Sequence, residues 1–310
     1  MKAYRAALGP VAVVLLFVAA ALWSPFEPHR PPSDAIAMEP VSWSDEDWET
    51  LESTLRWAIG AGVDTLPLGE RMAEIGLSFV GTAYVPGTLE VAGPERLVIN
   101  FQGLDCVTFV ENVFALSRIV RSDAPQRLDD RAYVQGAYER ELTTLRYRDG
   151  VIAGYPSRLH YFTDWITANE RGFRLKDVTE TLGGVVDPEP IDFMTTHRDA
   201  YPQLVDPANV ERIQIVERAL SEWPRNVIPQ SEIAAVSDRI KNGDIIAATS
   251  TVEGLDVAHT GLALWVGGTL RLMHAPLVGS AVEVSETTLA ERVEGISGQD
   301  GIIVARPLGR

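Results

Sequence analysis

The stretch Gly103-Leu104-Asp105-Cys106-Val107-Thr108-Phe109-Val110-Glu111 contains the only cysteine of the 310-residue sequence. Apolar residues recur at intervals of three or four positions from this stretch onward, which predicts a helix with one apolar face. These apolar residues are Phe109, Val113, Leu116 and Val120. Asp105 is expected to be the N-cap of the helix, because its carboxylate can accept hydrogen bonds from the free amides of the first turn.

Cys106 would then occupy the first helical position. There the helix dipole and the unpaired amides favour a thiolate over a thiol. A thiolate at a helix start, close to a histidine, is the arrangement that a cysteine nucleophile needs. A buried structural cysteine is the alternative at this point, since a lone cysteine often behaves as a small apolar residue.

The composition excludes several classes of function. The sequence has 27 basic and 43 acidic residues, a net charge of −16, which argues against binding to a phosphate backbone. A single cysteine permits no intrachain disulfide, and no Cys/His cluster has the spacing of a structural zinc site. No Walker-type loop or dinucleotide fingerprint is present, so no nucleotide cofactor is expected.

The N-terminal segment has the pattern of an export signal. Lys2 and Arg5 precede an apolar run over residues 6–23. At about 18 residues the run could also be an uncleaved membrane anchor, and a buried helix is a further alternative. Export would place the protein in the periplasm, and an uncleaved anchor would tether it to the inner membrane. An unpaired thiol in that compartment suggests a function.

The sequence therefore divides into a leader over 1–23, a proline-rich tether over 24–43, and a single domain over 44–310. We expect a hairpin-like insertion near 168–200, within this domain. Leu97-Val98-Ile99-Asn100 is a further strand candidate. Helices are predicted near 44–60, from Thr65 to Phe79, over 129–145, from Ser157 and over 206–220. Strands are predicted over 244–248, 261–266, 270–275 and 302–305, and together they indicate an α+β domain with an antiparallel meander.

Two histidines flank a predicted hairpin. The dipeptide Gly267-Gly268 is typical of a two-residue turn, which would bring His259 and His274 side by side. His259 could then take the proton of Cys106, and His274 could fix the tautomer of His259. Two unrelated histidines at strand ends are the alternative, and His160 is a rival base that could equally be bonded into the core.

These residues resemble the motifs of the NlpC-type, papain-like cysteine peptidases of bacterial cell walls. Asp105-Cys106 at a helix start, His259-Thr260-Gly261 at a strand start and His274-Ala275 at the end of the next strand carry the resemblance. Tyr84 matches a tyrosine in a loop before the cysteine. The similarity is greatest to the N-acetylmuramoyl-L-alanine amidase-like branch, over residues 81–90, 97–111, 157–166 and 242–275.

The resemblance implies an α+β papain-like fold in which the cysteine helix packs on an antiparallel sheet. It implies hydrolysis of the amide between the lactyl group of muramic acid and L-alanine, with peptidoglycan or a muropeptide as substrate and no cofactor. Cys106, His259 and His274 would be catalytic, and Tyr84, Asp105 and Asp256 would bind substrate. Val107-Thr108 replaces a frequent Ser-Gly, so the pocket beside the cysteine would be bulkier.

Three alternatives remain open from the sequence. Asp256, His259 and His274 could hold a zinc ion with water in its fourth position. A peptidase of the same fold could cut between residues of the stem peptide instead. A wall-binding module without activity would be a third alternative, from a different class of protein.

Overall fold

The computed structural model describes residues 41–277 and 280–309. The predicted leader and nearly all of the predicted tether lie outside these residues. Within them, no helix is both long enough and apolar enough to span a lipid bilayer.

Each predicted helix within the described residues is present, with its start shifted by at most about five positions, and four short helices were not predicted. The second helix begins three residues later than expected, because residues 63–65 form a separate 3₁₀ turn ahead of Pro67. The helices are α1 (Asp45–Gly60), α2 (Leu68–Leu77), α3 (Cys106–Ile119), α4 (Arg131–Arg146), α5 (Phe162–Arg171), α6 (Thr179–Leu182), α7 (Phe193–Thr196), α8 (Pro207–Glu222), α9 (Ile233–Val236) and α10 (Leu289–Glu294).

The strands form one large antiparallel sheet and one small parallel pair, so the domain is α+β. They are β1 (Ala83–Tyr84), β2 (Gly103–Leu104), β3 (Leu175–Asp177), β4 (Val185–Asp187), β5 (Arg225–Pro229), β6 (Ile245–Ser250), β7 (Val257–Val266), β8 (Thr269–His274), β9 (Glu283–Val284) and β10 (Gln299–Pro307). The large sheet has the order β4-β5-β10-β6-β7-β8-β9, and β3 also pairs with β10. β1 and β2 pair in parallel, apart from this sheet.

Both faces of the large sheet are covered. In β6, Ile245 and Ala247 belong to the core beneath α2, α3 and α4, whereas Ile246 and Ala248 belong to the core on the opposite face. This division follows from the alternation of side chains along a strand. A third apolar cluster forms around α7 and α8.

Helix α3 is buried on nearly all sides, and Arg118 is its one residue that is not buried. The sequence predicted burial of one apolar face, whereas nearly the whole surface of the helix is buried. The helix packs against α2, α4 and β7 at once, so polar side chains such as Asn112 and Ser117 are also enclosed.

Two further predictions were wrong, and one was correct in part. The segment after Gly172 forms no hairpin, because β3 pairs with β10 whereas β4 pairs with β5. Residues 97–100 have no strand pairing. The predicted meander holds for β6 to β9, but β10 returns to lie between β5 and β6.

A buried ion pair connects α3 to its neighbours. The Arg146 Nε donates to Glu111 at 2.7 Å, and both side chains are 2% exposed. The Trp165 indole donates to the other Glu111 oxygen at 3.1 Å, and Arg146 also donates to the Val98 carbonyl at 2.7 Å. The pair therefore joins α3, α4, α5 and the chain leading to Cys106.

Glu111→Ala should lower the free energy of unfolding by about 3–5 kcal/mol, because it leaves the Arg146 guanidinium buried without its carboxylate. Urea denaturation followed by circular dichroism measures this difference. Glu52→Ala is the matched control, since the Glu52–Arg56 pair is largely exposed and should contribute less than about 1 kcal/mol. An equal decrease in the free energy of unfolding for the two variants would show that the buried pair does not anchor α3.

Candidate active site

The β7–β8 hairpin brings two imidazoles into contact. Its turn is Gly267-Gly268, with φ of +57° and +82°, the left-handed backbone that a type I′ turn requires at both positions. The predicted two-residue hairpin is thus confirmed. The Nε2 of His259 lies 2.8 Å from the Nδ1 of His274, and the two rings are nearly perpendicular.

Gly261 permits this close approach of the strands. A Cβ at this position would lie 2.6 Å from the Met273 carbonyl oxygen and 2.9 Å from the His274 Cβ. Neither contact is possible for a real side chain without moving the backbone. The glycine two residues after His259 therefore has a physical reason, which is the placement of His274.

The start of α3 is fixed by a reciprocal cap. The Asp105 carboxylate accepts from the amides of Val107 at 3.1 Å and Thr108 at 2.8 Å. The Thr108 hydroxyl in turn accepts from the Asp105 amide at 2.9 Å, which completes a capping box. This geometry holds Cys106 at the first position of the helix.

The thiol faces the hairpin. The backbone amide of Thr260, the residue after His259, is close enough to the Cys106 sulfur to lower its pKa, as are the amides of Cys106 and Val107. Tyr84 lies near this part of the chain, because β1 pairs it with Leu104, two residues before Cys106. Burial, and then the proximity of Cys106 and Asp105, raise the pKa of the Tyr84 phenol. Tyr84 of β1, Cys106 of α3 and the Thr260 amide of β7 are therefore close neighbours.

Burial determines whether the Cys106 thiol and the two imidazoles are charged. It raises the pKa of the Cys106 thiol, which is 1% exposed, and the Asp105 carboxylate raises it further. The predicted preference for a thiolate was wrong, because helix-start amides contribute less than desolvation costs. Burial, His274 and Arg292 hold the pKa of His259 well below its usual range. Burial and then Arg292 lower the pKa of His274 to about 3, so the thiol and both imidazoles are neutral at neutral pH.

The two aspartates predicted to bind substrate have internal partners. One Asp256 oxygen accepts from the Thr163 amide at 2.9 Å and from its hydroxyl at 2.6 Å, and the other accepts from the Val257 amide at 2.8 Å. Asp256 therefore joins the start of α5 to the start of β7. Asp105 caps α3. Both side chains are buried, which argues against direct contact with substrate.

The rival base and the zinc alternative have little support. His160 is fully buried, its Nε2 lies 2.8 Å from the Tyr155 carbonyl oxygen, and its ring packs on the Tyr155 ring. Among residues 41–277 and 280–309, no group of three or more His, Cys, Asp or Glu is arranged to hold a metal ion. The contacts of Asp256 explain why it does not join His259 and His274 in such a group.

Sequence reasoning missed two charged neighbours of the imidazoles. Glu283 lies opposite His274 in the β8–β9 pair, with its carboxylate 3.8 Å from the His274 Nε2. Arg292, in α10, lowers the pKa of both histidines. Neither residue belongs to a motif, and only strand pairing and helix packing reveal them.

Comparison with known proteins identifies relatives of this chain. The family model described as N-acetylmuramoyl-L-alanine amidase-like (AmiA-like) matches residues 74–300. No curated protein matches the sequence. An N-acetylmuramoyl-L-alanine amidase from Bacteroides uniformis is similar in structure, with a TM-score of 0.71 and 36% identity over 78% of this chain and 99% of that chain.

A second similar structure, from Bacteroides fragilis, carries the name of a candidate xylanase. It has a TM-score of 0.68 and 39% identity over 74% of this chain and 98% of that chain. A third, from Legionella pneumophila, has a TM-score of 0.61 at 20% identity over 86% of this chain and 97% of that chain, and shows similarity of fold alone. Because the family model covers most of the sequence, this chain belongs to the N-acetylmuramoyl-L-alanine amidase-like family of peptidoglycan hydrolases.

Proposed function

We propose that this protein is a cysteine amidase that cleaves the bond between N-acetylmuramic acid and L-alanine. The observation that carries the proposal is the position of the Cys106 sulfur beside the amide of Thr260, the residue that follows His259, whose ring is bonded to His274. The family membership and the name of the Bacteroides uniformis neighbour support the choice of bond. We also propose that the fold is of the papain-like type, with α3 packed on β7.

The hydrogen bond between the imidazoles assigns their roles. It occupies the Nε2 of His259, so the Nδ1 of His259 is the nitrogen that accepts the Cys106 proton. The sulfur then attacks the lactyl carbonyl carbon, and His259 returns the proton to the nitrogen of L-alanine as the C–N bond breaks. Water, activated by the same imidazole, hydrolyses the thioester and restores the thiol.

Because the site is buried, transfer of the Cys106 proton and attack of the sulfur on the substrate would occur together. A thiolate and an imidazolium are both disfavoured in the resting protein, so charge develops only when it can move onto the substrate carbonyl oxygen. The Cys106 amide at the helix start would stabilise that oxyanion. Tyr84 would donate a second hydrogen bond, because its raised pKa keeps the phenol protonated.

We propose that the protein is exported and acts on peptidoglycan or its fragments. The basic and apolar segment over residues 2–23 supports export, and the prolines that follow support a tether between membrane and domain. An exported enzyme would meet peptidoglycan or its fragments directly.

Cys106→Ala should abolish turnover of a muropeptide, and His259→Ala should lower kcat by about 10²–10⁴-fold because the general base is lost. Product formation measured by chromatography tests both. His197→Ala is the matched control, since His197 is an exposed histidine at the end of α7 and should leave turnover unchanged.

Thermal unfolding of each variant separates loss of chemistry from loss of structure. Inhibition by a thiol alkylator but not by a chelator is expected for the wild type. Full hydrolysis by folded Cys106→Ala, or inactivation by the chelator alone, would contradict a cysteine mechanism and favour a metal site.

Digestion of a defined N-acetylmuramoyl-peptide should release intact sugar and intact peptide, because only the lactyl amide is cut. Mass spectrometry of the products decides between bonds. Shortened stem peptides would identify an endopeptidase of the same fold, and the absence of cleavage in any muropeptide would indicate a wall-binding module.

A further inference from the structure

One buried nitrogen of the imidazole pair is left without a hydrogen bond. The Nδ1 of His274 is bonded to His259, whereas the buried Nε2 of His274 has no hydrogen-bond partner among residues 41–277 and 280–309. A buried ring nitrogen of this kind costs free energy until a partner reaches it. The side chain is fully buried, so a partner has to be a group that already lies beside it, such as a neighbouring side chain or an enclosed water.

Glu283 is placed to be that partner. It lies directly opposite His274 in the β8–β9 pairing, and its Oε1 is 3.8 Å from the orphaned Nε2. This distance is too long for a hydrogen bond. The Glu283 side chain is 53% exposed, however, so a rotamer change can close the gap without moving the core.

We propose that Glu283 is a positioning residue that completes a relay with Cys106, His259 and His274, by accepting a hydrogen bond from the Nε2–H of His274. The proposal rests on the proposed function of the cysteine site. Glu283 touches neither the substrate nor the reacting atoms, and it acts through the two imidazoles.

The tautomers explain why this contact matters. A neutral imidazole carries one N–H. If Glu283 holds that hydrogen on the Nε2 of His274, the Nδ1 of His274 can only accept, and His259 must donate through its own Nε2. The Nδ1 of His259 then has a free lone pair and can take the thiol proton. In the opposite tautomer that nitrogen already carries a hydrogen, and His259 cannot act as the base.

Glu283 also balances a positive charge. Arg292 faces the imidazole pair from α10 and disfavours the imidazolium that forms on His259 during attack. The charge of Glu283 acts on the same guanidinium, because burial lowers the pKa of Arg292 and Glu283 raises it. A carboxylate beside His274 would therefore offset Arg292 at the moment when His259 becomes charged.

The kinetic test compares Glu283→Ala and Glu283→Gln with the wild type on one muropeptide. We expect Glu283→Ala to lower kcat about three- to ten-fold with KM changed less than two-fold, a modest effect because the carboxylate is half exposed. Glu283→Gln should retain more activity than Glu283→Ala, since its amide oxygen can still accept from His274. Glu286→Gln, an exposed neighbour in the same segment, is the matched control and should leave kcat unchanged.

Nitrogen-15 NMR of the histidine rings gives a readout that does not depend on turnover. In the wild type both His259 and His274 should carry hydrogen on Nε2, and in Glu283→Ala they should populate both tautomers. Unchanged tautomers and unchanged kcat in Glu283→Ala would overturn the relay, as would an equal loss in Glu286→Gln. Activity of folded Cys106→Ala would instead refute the cysteine mechanism, and the NMR result would still decide the role of Glu283.

Discussion

The exclusion of water from the Cys106 thiol is the constraint on which the candidate site depends. A cysteine that is 1% exposed cannot easily hold a charge on its sulfur, and the imidazoles of His259 and His274 are buried as well. Helix-start amides and the Thr260 amide favour the thiolate but do not offset that cost. Burial therefore favours a neutral thiol at Cys106 and neutral imidazoles at His259 and His274. In the proposed mechanism, charge develops only when a substrate carbonyl can receive it.

The rest of the fold fixes the elements that carry Cys106, His259 and His274. Three buried carboxylates anchor these elements: Asp105 caps α3, Glu111 binds Arg146 and Trp165, and Asp256 joins α5 to β7. Gly261 removes the one Cβ that would push β8 away from β7. A rigid arrangement suits the proposed mechanism, because the proton transfer that it assigns to His259 and Cys106 would tolerate little error in distance.

Local signals in the sequence predicted the helix start and the hairpin that carry the candidate residues. Asp105 before an apolar run indicated the helix start, and Gly267-Gly268 indicated the turn that makes His259 and His274 neighbours. Properties that depend on tertiary packing could not be predicted from such local patterns. The sign of the Cys106 pKa shift depends on how completely α3 is enclosed, and the role of Asp256 depends on its contact with Thr163, which is distant in sequence. The pairing of Glu283 with His274 follows from strand register alone.

The pH dependence of Cys106 alkylation tests the neutral thiol most directly. Iodoacetamide reacts with the thiolate, so the inflection of rate against pH reports the pKa of the sulfur, whatever its accessibility. For the folded protein we expect no inflection below the value of an ordinary cysteine, about 8.5, and an inflection near that value in urea. His259→Ala should leave the folded inflection nearly unmoved, because the resting imidazole is neutral. Rapid alkylation that persists down to pH 6 and is lost in His259→Ala would show a preformed ion pair and contradict a neutral resting site.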